Sequence, residues 1–171
     1  MEAMNNLLER RSIRKYQNKQ VSDELLDQVL AAGLYAPTGM NRQNVVMVAV
    51  RDQEIRDQLM RMNAAVMGRD GDPFYGAPCV IVVLGDPENY PVVENGSLVL
   101  GNLMNAAHAV GLGSCWIHRA KQMFETEEGK ALLRAWGLKD TLVGIGNCIL
   151  GYPAENPEAR PRLDGRIVKI G

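Results

Sequence analysis

The chain has 171 residues, 46% hydrophobic and 23% charged, with 19 basic residues against 20 acidic ones for a formal net charge of −1. That length sits near the modal domain size of ~100–150 residues, so residues 1–171 read as a single domain. The composition is too apolar and evenly charged for disorder, lacks the cationic excess of a nucleic-acid binder, and has no run near the ~20 apolar residues that span a membrane.

Helices and strands alternate along the chain. Residues 3–10 carry Met4, Leu7 and Leu8 on one face, the pattern of a short amphipathic helix. Ser22 is placed to cap a helix over about 23–34, with Asp23 and Glu24 in its first turn, an apolar stripe at Leu25, Leu26, Val29 and Leu30, and Gly33 and Pro37 at its end. Val45–Val50 reads as a buried strand, 53–67 as a helix and Val80–Leu84 as a second strand. A long helix is predicted from Glu94 to about Val110, and Thr126 caps a further one running to Trp136. Thr141–Leu150 is a third strand, interrupted by Gly144 and Gly146. After the Pro-rich stretch 153–161, Arg166–Ile170 is a candidate last strand. It is free either to wrap its own domain or to join a neighbour's sheet.

Cys79, Cys115 and Cys148 are odd in number and widely spaced, which suits neither a disulfide framework nor a metal knuckle. The opening Met1-Glu2-Ala3-Met4-Asn5-Asn6 lacks the basic start and apolar stretch of a signal peptide. Together these lead to the expectation of a cytoplasmic protein. His108 and His118 have no carboxylate partners at ligand spacing, so no metal site is expected. No Ser/His/Asp order stands out, and no catalytic acid, base or nucleophile is assigned.

Four stretches carry chemical interest. Arg10-Arg11-Ser12-Ile13-Arg14-Lys15 packs four cations and a hydroxyl into six residues. It reads either as a solvated basic face or as an anion site, since Arg forks match phosphate oxygens. Ala36-Pro37-Thr38-Gly39-Met40-Asn41-Arg42-Gln43 is a turn rich in amide donors and acceptors ahead of a buried strand. Gly111-Leu112-Gly113-Ser114-Cys115-Trp116-Ile117 follows the long helix, reads alone as a helix-to-strand turn, and lacks the spacing of a dinucleotide fingerprint. Gly151-Tyr152-Pro153 precedes the alternating Arg160-Pro161-Arg162.

In this order, these stretches resemble the nitroreductase family of FMN-dependent oxidoreductases, in one of its shorter forms. The match runs from Arg10-Arg11-Ser12-x-Arg14-x-Tyr16 through Ala36-Pro37-Thr38-Gly39-x-Asn41-x-Gln43, the Gly111–Trp116 turn and Gly151-Tyr152-Pro153 to the closing Arg-x-Arg. The resemblance implies an α+β fold, with a mixed central sheet flanked by helices and a C-terminal strand exchanged within a homodimer, residues 152–171 forming the arm. It implies that Arg10, Arg160 and Arg162 hold the FMN phosphate, with Arg11 and Ser12 near the phosphate and ribityl chain. Arg14 would face the N1–C2=O edge of the isoalloxazine. Pro37, Thr38 and Gly39 would pack on the flavin from the partner subunit, supported by Asn41 and Gln43. Asn63 would read the pyrimidine edge. Ser114, Cys115 and Trp116 would lie by flavin N5 and O4, the last two offering backbone N–H groups.

The implied reaction is ping-pong. NADH or NADPH gives a hydride at flavin N5, and a small acceptor such as a nitroaromatic or quinone is then reduced in the same pocket. The alternatives are another flavin role on the same fold, reductive dehalogenation or flavin fragmentation, and a flavin-binding module without turnover. Asn44 follows Gln43 where family members often carry Pro and an aromatic, and Ser114-Cys115-Trp116 takes the place of a Glu-Gly pair of longer members.

Overall fold

The computed structural model describes residues 2–171. Seven residues of α1 (Ala3–Glu9) precede α2 (Asp23–Leu34), which Ser22 caps by accepting from the Leu25 N–H. A 3-10 turn over Gly39–Asn41 leads into β1 (Val45–Val50). Asp52 then caps α3 (Gln53–Met67), and β2 (Cys79–Gly85) follows. The remaining elements are α4 (Val92–Ala109), β3 (Gly113–Ile117), α5 (Ala120–Glu125), α6 (Glu127–Ala135) and β4 (Val143–Gly151).

The strands form one sheet in the order β1-β2-β4-β3. β2 and β4 are central, and the alternation of side chains sends successive residues of each to opposite faces. Val80, Val82, Leu84 and Ile149 belong to a core with Leu59, Met62, Phe74, Met123 and Leu133. Cys79, Ile81, Val83, Cys148 and Leu150 belong to a second core with Val29, Val99, Leu100 and Leu103. The sheet is therefore covered on both faces, by α3, α5 and α6 on one side and α2 and α4 on the other. This is the expected α+β arrangement of helices around a central sheet.

Two glycines make the layers fit. A Cβ on Gly96 of α4 would collide with Ile145 of β4, and one on Gly144 would collide with the backbone carbonyl of Ala120 at the start of α5. Those glycines inside a helix and a strand carry a conformational cost that close packing offsets.

The sheet expected to be mixed is antiparallel along all four strands, and the one parallel pairing among the described residues is the isolated bridge between Ser12 and Ser114. The turn expected over Gly111–Trp116 is shorter. It is complete by Leu112, and Gly113 already begins β3. Within one chain 166–170 forms no strand, and Ile167, Val168 and Ile170 stand 81%, 80% and 96% exposed. Among the described residues no helix is long and apolar enough to cross a membrane.

Candidate active site

The N-terminal cationic run leaves α1 and is stitched to the sheet. Ile13 N–H donates to the Ser114 carbonyl at 3.0 Å, beside the Ser12–Ser114 bridge. The C-terminal arm turns back along the same segment, with Ala154 N–H donating to the Lys15 carbonyl at 2.9 Å and Arg14 N–H donating to Oε1 of Glu155 at 2.5 Å. These contacts bring cations from both ends of the chain together. Arg10, Arg11, Ser12, Arg14, Arg160 and Arg162 line an open cavity of about 530 Å³ with Pro157 and Glu158.

None of the cavity's arginines forms an ion pair among the described residues, although other arginines of the chain do. Nη1 of Arg10 is buried and has no hydrogen-bond partner among the described residues. A buried cationic donor without an acceptor is costly, and a bound anion supplies the missing acceptor. Both the donor chemistry and the orphaned nitrogen fit a phosphate group. The positive field reaches further: desolvation first, and the Arg10 cation second, hold the His108 imidazole below its usual range.

Ser114 and Cys115 are buried, whereas Trp116 is 48% exposed, with its ring 5.3 Å from that of His118. The Ser114 carbonyl faces off the sheet toward Ile13. Alternation along a strand turns the backbone groups of Trp116 the same way and those of Cys115 toward β4. Of the two residues expected to offer an N–H to a ligand, Trp116 is the one whose backbone faces outward. The Cys115 thiol packs in the core on the α3 side of the sheet.

Asn63 is not brought to the cavity. It is fully buried, and its Nδ2 donates to the His118 carbonyl at 2.8 Å and to Met123 Sδ at 3.2 Å. Its Nδ2 fixes the chain where it leaves β3, while its Oδ1 is buried without a partner among the described residues.

The second half of the candidate set lies elsewhere. Thr38, Gly39, Asn41 and Gln43 precede β1, the opposite edge strand from β3. Three inter-strand steps of about 4.8 Å, roughly 14 Å in all, separate those edges. The ends differ too: Val45 pairs with Gly85 at the finish of β2, while Ser114 is aligned through Leu150 with Cys79 at its start. The two groups of candidates occupy diagonally opposite corners of the sheet.

This loop is strained and clamped. Met40, Asn41 and Gln43 all have positive φ, at 51°, 53° and 49°. Each such residue costs of order 1–3 kcal/mol and persists only where its surroundings hold it. A chain of amides does so: Gly39 N–H donates to Asn95 Oδ1 and Asn95 Nδ2 to Asn44 Oδ1, both at 2.9 Å, and Asn44 Nδ2 donates to the Asn89 carbonyl at 2.8 Å. Inside the loop, Gln43 N–H donates to Thr38 Oγ1 and Gln43 Nε2 to Asn41 Oδ1. Pro37 leads into this loop after α2.

The family model for the nitroreductase family matches residues 7–152. The chain belongs to the nitroreductase family. A relative from Methanothermobacter thermautotrophicus, provisionally named NADH dehydrogenase/NAD(P)H nitroreductase, is 30% identical over 96% of this chain and 84% of its own. The FMN reductase (NAD(P)H) of Bacillus subtilis is 25% identical over 98% of this chain and 72% of its own. The solved nitroreductase of Bacteroides fragilis with bound FMN superposes with a TM-score of 0.89 at 26% identity, covering 100% of both chains.

Several residues around this candidate site take roles that the sequence did not assign them. Asn95 lies mid-sequence in a helical pattern, and only its 1% exposure marks it as a structural amide. Asn44, noted as a departure from the family pattern, acquires a reason: its side chain ties the loop to Asn95 and Asn89. Glu155 and Tyr75 touch Arg14, from segments with no motif of their own.

Proposed function

We propose that the chain is an FMN-dependent NAD(P)H oxidoreductase that reduces a small acceptor such as a nitroaromatic or quinone, working as a homodimer. The observation that carries this reading is the arginine-lined cavity with the unpartnered Arg10 Nη1. Arg10, Arg160 and Arg162 hold the FMN phosphate there through charge-assisted hydrogen bonds, with Ser12 and Arg11 beside them.

When bound, FMN supplies the two-electron chemistry, so no side chain of the protein has to act as acid, base or nucleophile. The chain contributes position and charge. Arg14 sets a fixed cation where negative charge collects on reduction, which favours the reduced state. The outward backbone of Trp116 offers hydrogen-bonding groups at the open edge of β3. The clamped loop of Pro37, Thr38, Gly39, Asn41 and Gln43 forms a rigid wall whose polar groups are already oriented.

One chain holds the cationic corner and the amide loop too far apart to serve one ligand. Two chains bring the corner of one against the loop of its partner. The exposed apolar residues of α1 (Met4, Leu7, Leu8) and of the arm (Leu163, Ile167, Val168, Ile170) supply surface for that association. Exchange of residues 166–170 between protomers gives the arm a sheet to join.

The test is direct. Purified protein, saturated with FMN and kept anaerobic, is mixed with NADH or NADPH and followed at the flavin absorbance band. The reading predicts rapid bleaching and return of colour on adding a quinone or nitroaromatic. Bound flavin that stays coloured with both nucleotides contradicts it and favours another flavin role on the same fold, or a flavin-binding module without turnover if the flavin is also inert to every acceptor.

A further inference from the structure

The loop between α3 and β2 is built to hold one aromatic ring in place. Asp72 is its hub: Oδ1 accepts from Phe74 N–H at 2.7 Å, and Oδ2 accepts from Gly76 N–H at 2.8 Å and from Arg56 Nη2 at 2.6 Å. Arg56 is itself buried and donates through Nε to the Ala77 carbonyl at 3.1 Å. Phe74 is sealed in the core beneath the Arg56 guanidinium. Between these anchors stands Tyr75, with φ of 54°, a conformation rare for an aromatic residue. Strain of this kind survives only where the neighbours fix it, and here they do.

The ring so held is 44% exposed and makes no hydrogen bond through its hydroxyl among the described residues, while the Arg14 guanidinium carbon lies 5.9 Å from its centroid. That separation is within the ~6 Å range of a cation–π contact. Among the described residues the Arg14 guanidinium has no carboxylate partner, and only its backbone N–H is tied down, to Glu155. We propose that Tyr75 is a positioning residue: its ring, fixed by the Arg56–Asp72 latch, holds the Arg14 guanidinium in place at the cavity wall. The proposal rests on the role given to Arg14 above. An unguided arginine has many rotamers and averages its charge over them. An arginine held over a fixed ring presents its charge at one place, which strengthens its effect on a nearby anionic edge.

The test uses the FMN-loaded protein and two readouts, FMN dissociation constant by fluorescence titration and midpoint potential of the bound flavin. Tyr75→Ala and Tyr75→Leu are expected to weaken FMN about twofold to fivefold, the scale of an exposed cation–π contact, and to move the potential to more negative values. Tyr75→Phe, which keeps the ring, restores both. In an Arg14→Ala background Tyr75→Leu adds nothing. If Tyr75→Leu leaves both quantities at the wild-type value while Arg14→Ala changes them, the positioning role is overturned and the role of Arg14 stands. If Arg14→Ala itself changes neither, the reading of Arg14 falls and the proposal with it. Loss in Tyr75→Phe equal to that in Tyr75→Leu also overturns it, because the hydroxyl rather than the ring would then matter.

Discussion

Ser12 and Ser114 face each other in the only parallel bridge among the described residues, and through it the N-terminal cations are fixed to the edge of β3. The consequence is a cation-lined cavity assembled from distant sequence. Arg10 enters it from the end of α1 and Arg162 from the arm, and the bridge sets their common frame.

Removing the Arg10 guanidinium tests that site. Arg10→Ala is expected to weaken FMN by roughly 1.5–3 kcal/mol, the scale of a charged hydrogen bond. Fluorescence titration of the apoprotein measures it, and unchanged affinity would place the phosphate elsewhere.

The diagonal separation of the two groups of candidates predicts complementation. Arg10→Ala and Asn41→Ala damage opposite halves of each site. Co-expressed with different tags, the two chains are expected to restore tight FMN binding in mixed dimers purified through both tags. Mixed dimers no better than either variant alone would mean that each site lies within one chain.

The loop clamp has its own test. Asn95→Ala removes the acceptor of Gly39 N–H and the donor to Asn44 in a fully desolvated position. The expected loss of stability is about 1–3 kcal/mol, the cost of buried groups left unpaired, read by urea unfolding. A variant as stable as the wild type would show that the strained loop is held by other means.

The cysteines give a pH prediction. Burial pushes the Cys79 thiol up to about 12 from an ordinary value of 9.0, and burial raises Cys148 as well. The unfolded chain therefore loses these protons first as pH rises. Stability from this source is intact below about pH 9 and falls as pH climbs toward 12. Unfolding free energy measured across that range should decline, and the native thiols should resist alkylation at pH 8. A flat stability profile would contradict it.

Much of the layout was legible in the sequence because it is written in local patterns. The caps at Ser22 and Thr126 and the apolar runs of β1 and β2 place their elements within two residues of the structure. β3 and α5 were missed, at five and six residues too short for periodicity to speak. Arg10, Arg11, Ser12 and Arg14 were visible as a charge cluster, the resemblance joined Arg160 and Arg162 to them, and all six line one cavity. Asn63 entered through the family resemblance, and its burial against His118, which depends on how α3 packs under β3, carries no signal in the sequence. Tyr75 and Asn95 carry no local signature, since what marks them is a tertiary contact and a backbone angle.

The central claim is that the cationic cavity exists to hold the phosphate of FMN. Riboflavin carries the same isoalloxazine and ribityl chain without the phosphate, so titrating the apoprotein with FMN and with riboflavin isolates that contribution. The account predicts FMN binding at least a hundredfold tighter, as several charge-assisted hydrogen bonds of about 1.5–3 kcal/mol each would give, with the advantage shrinking in Arg10→Ala. Equal affinity for the two flavins would contradict it.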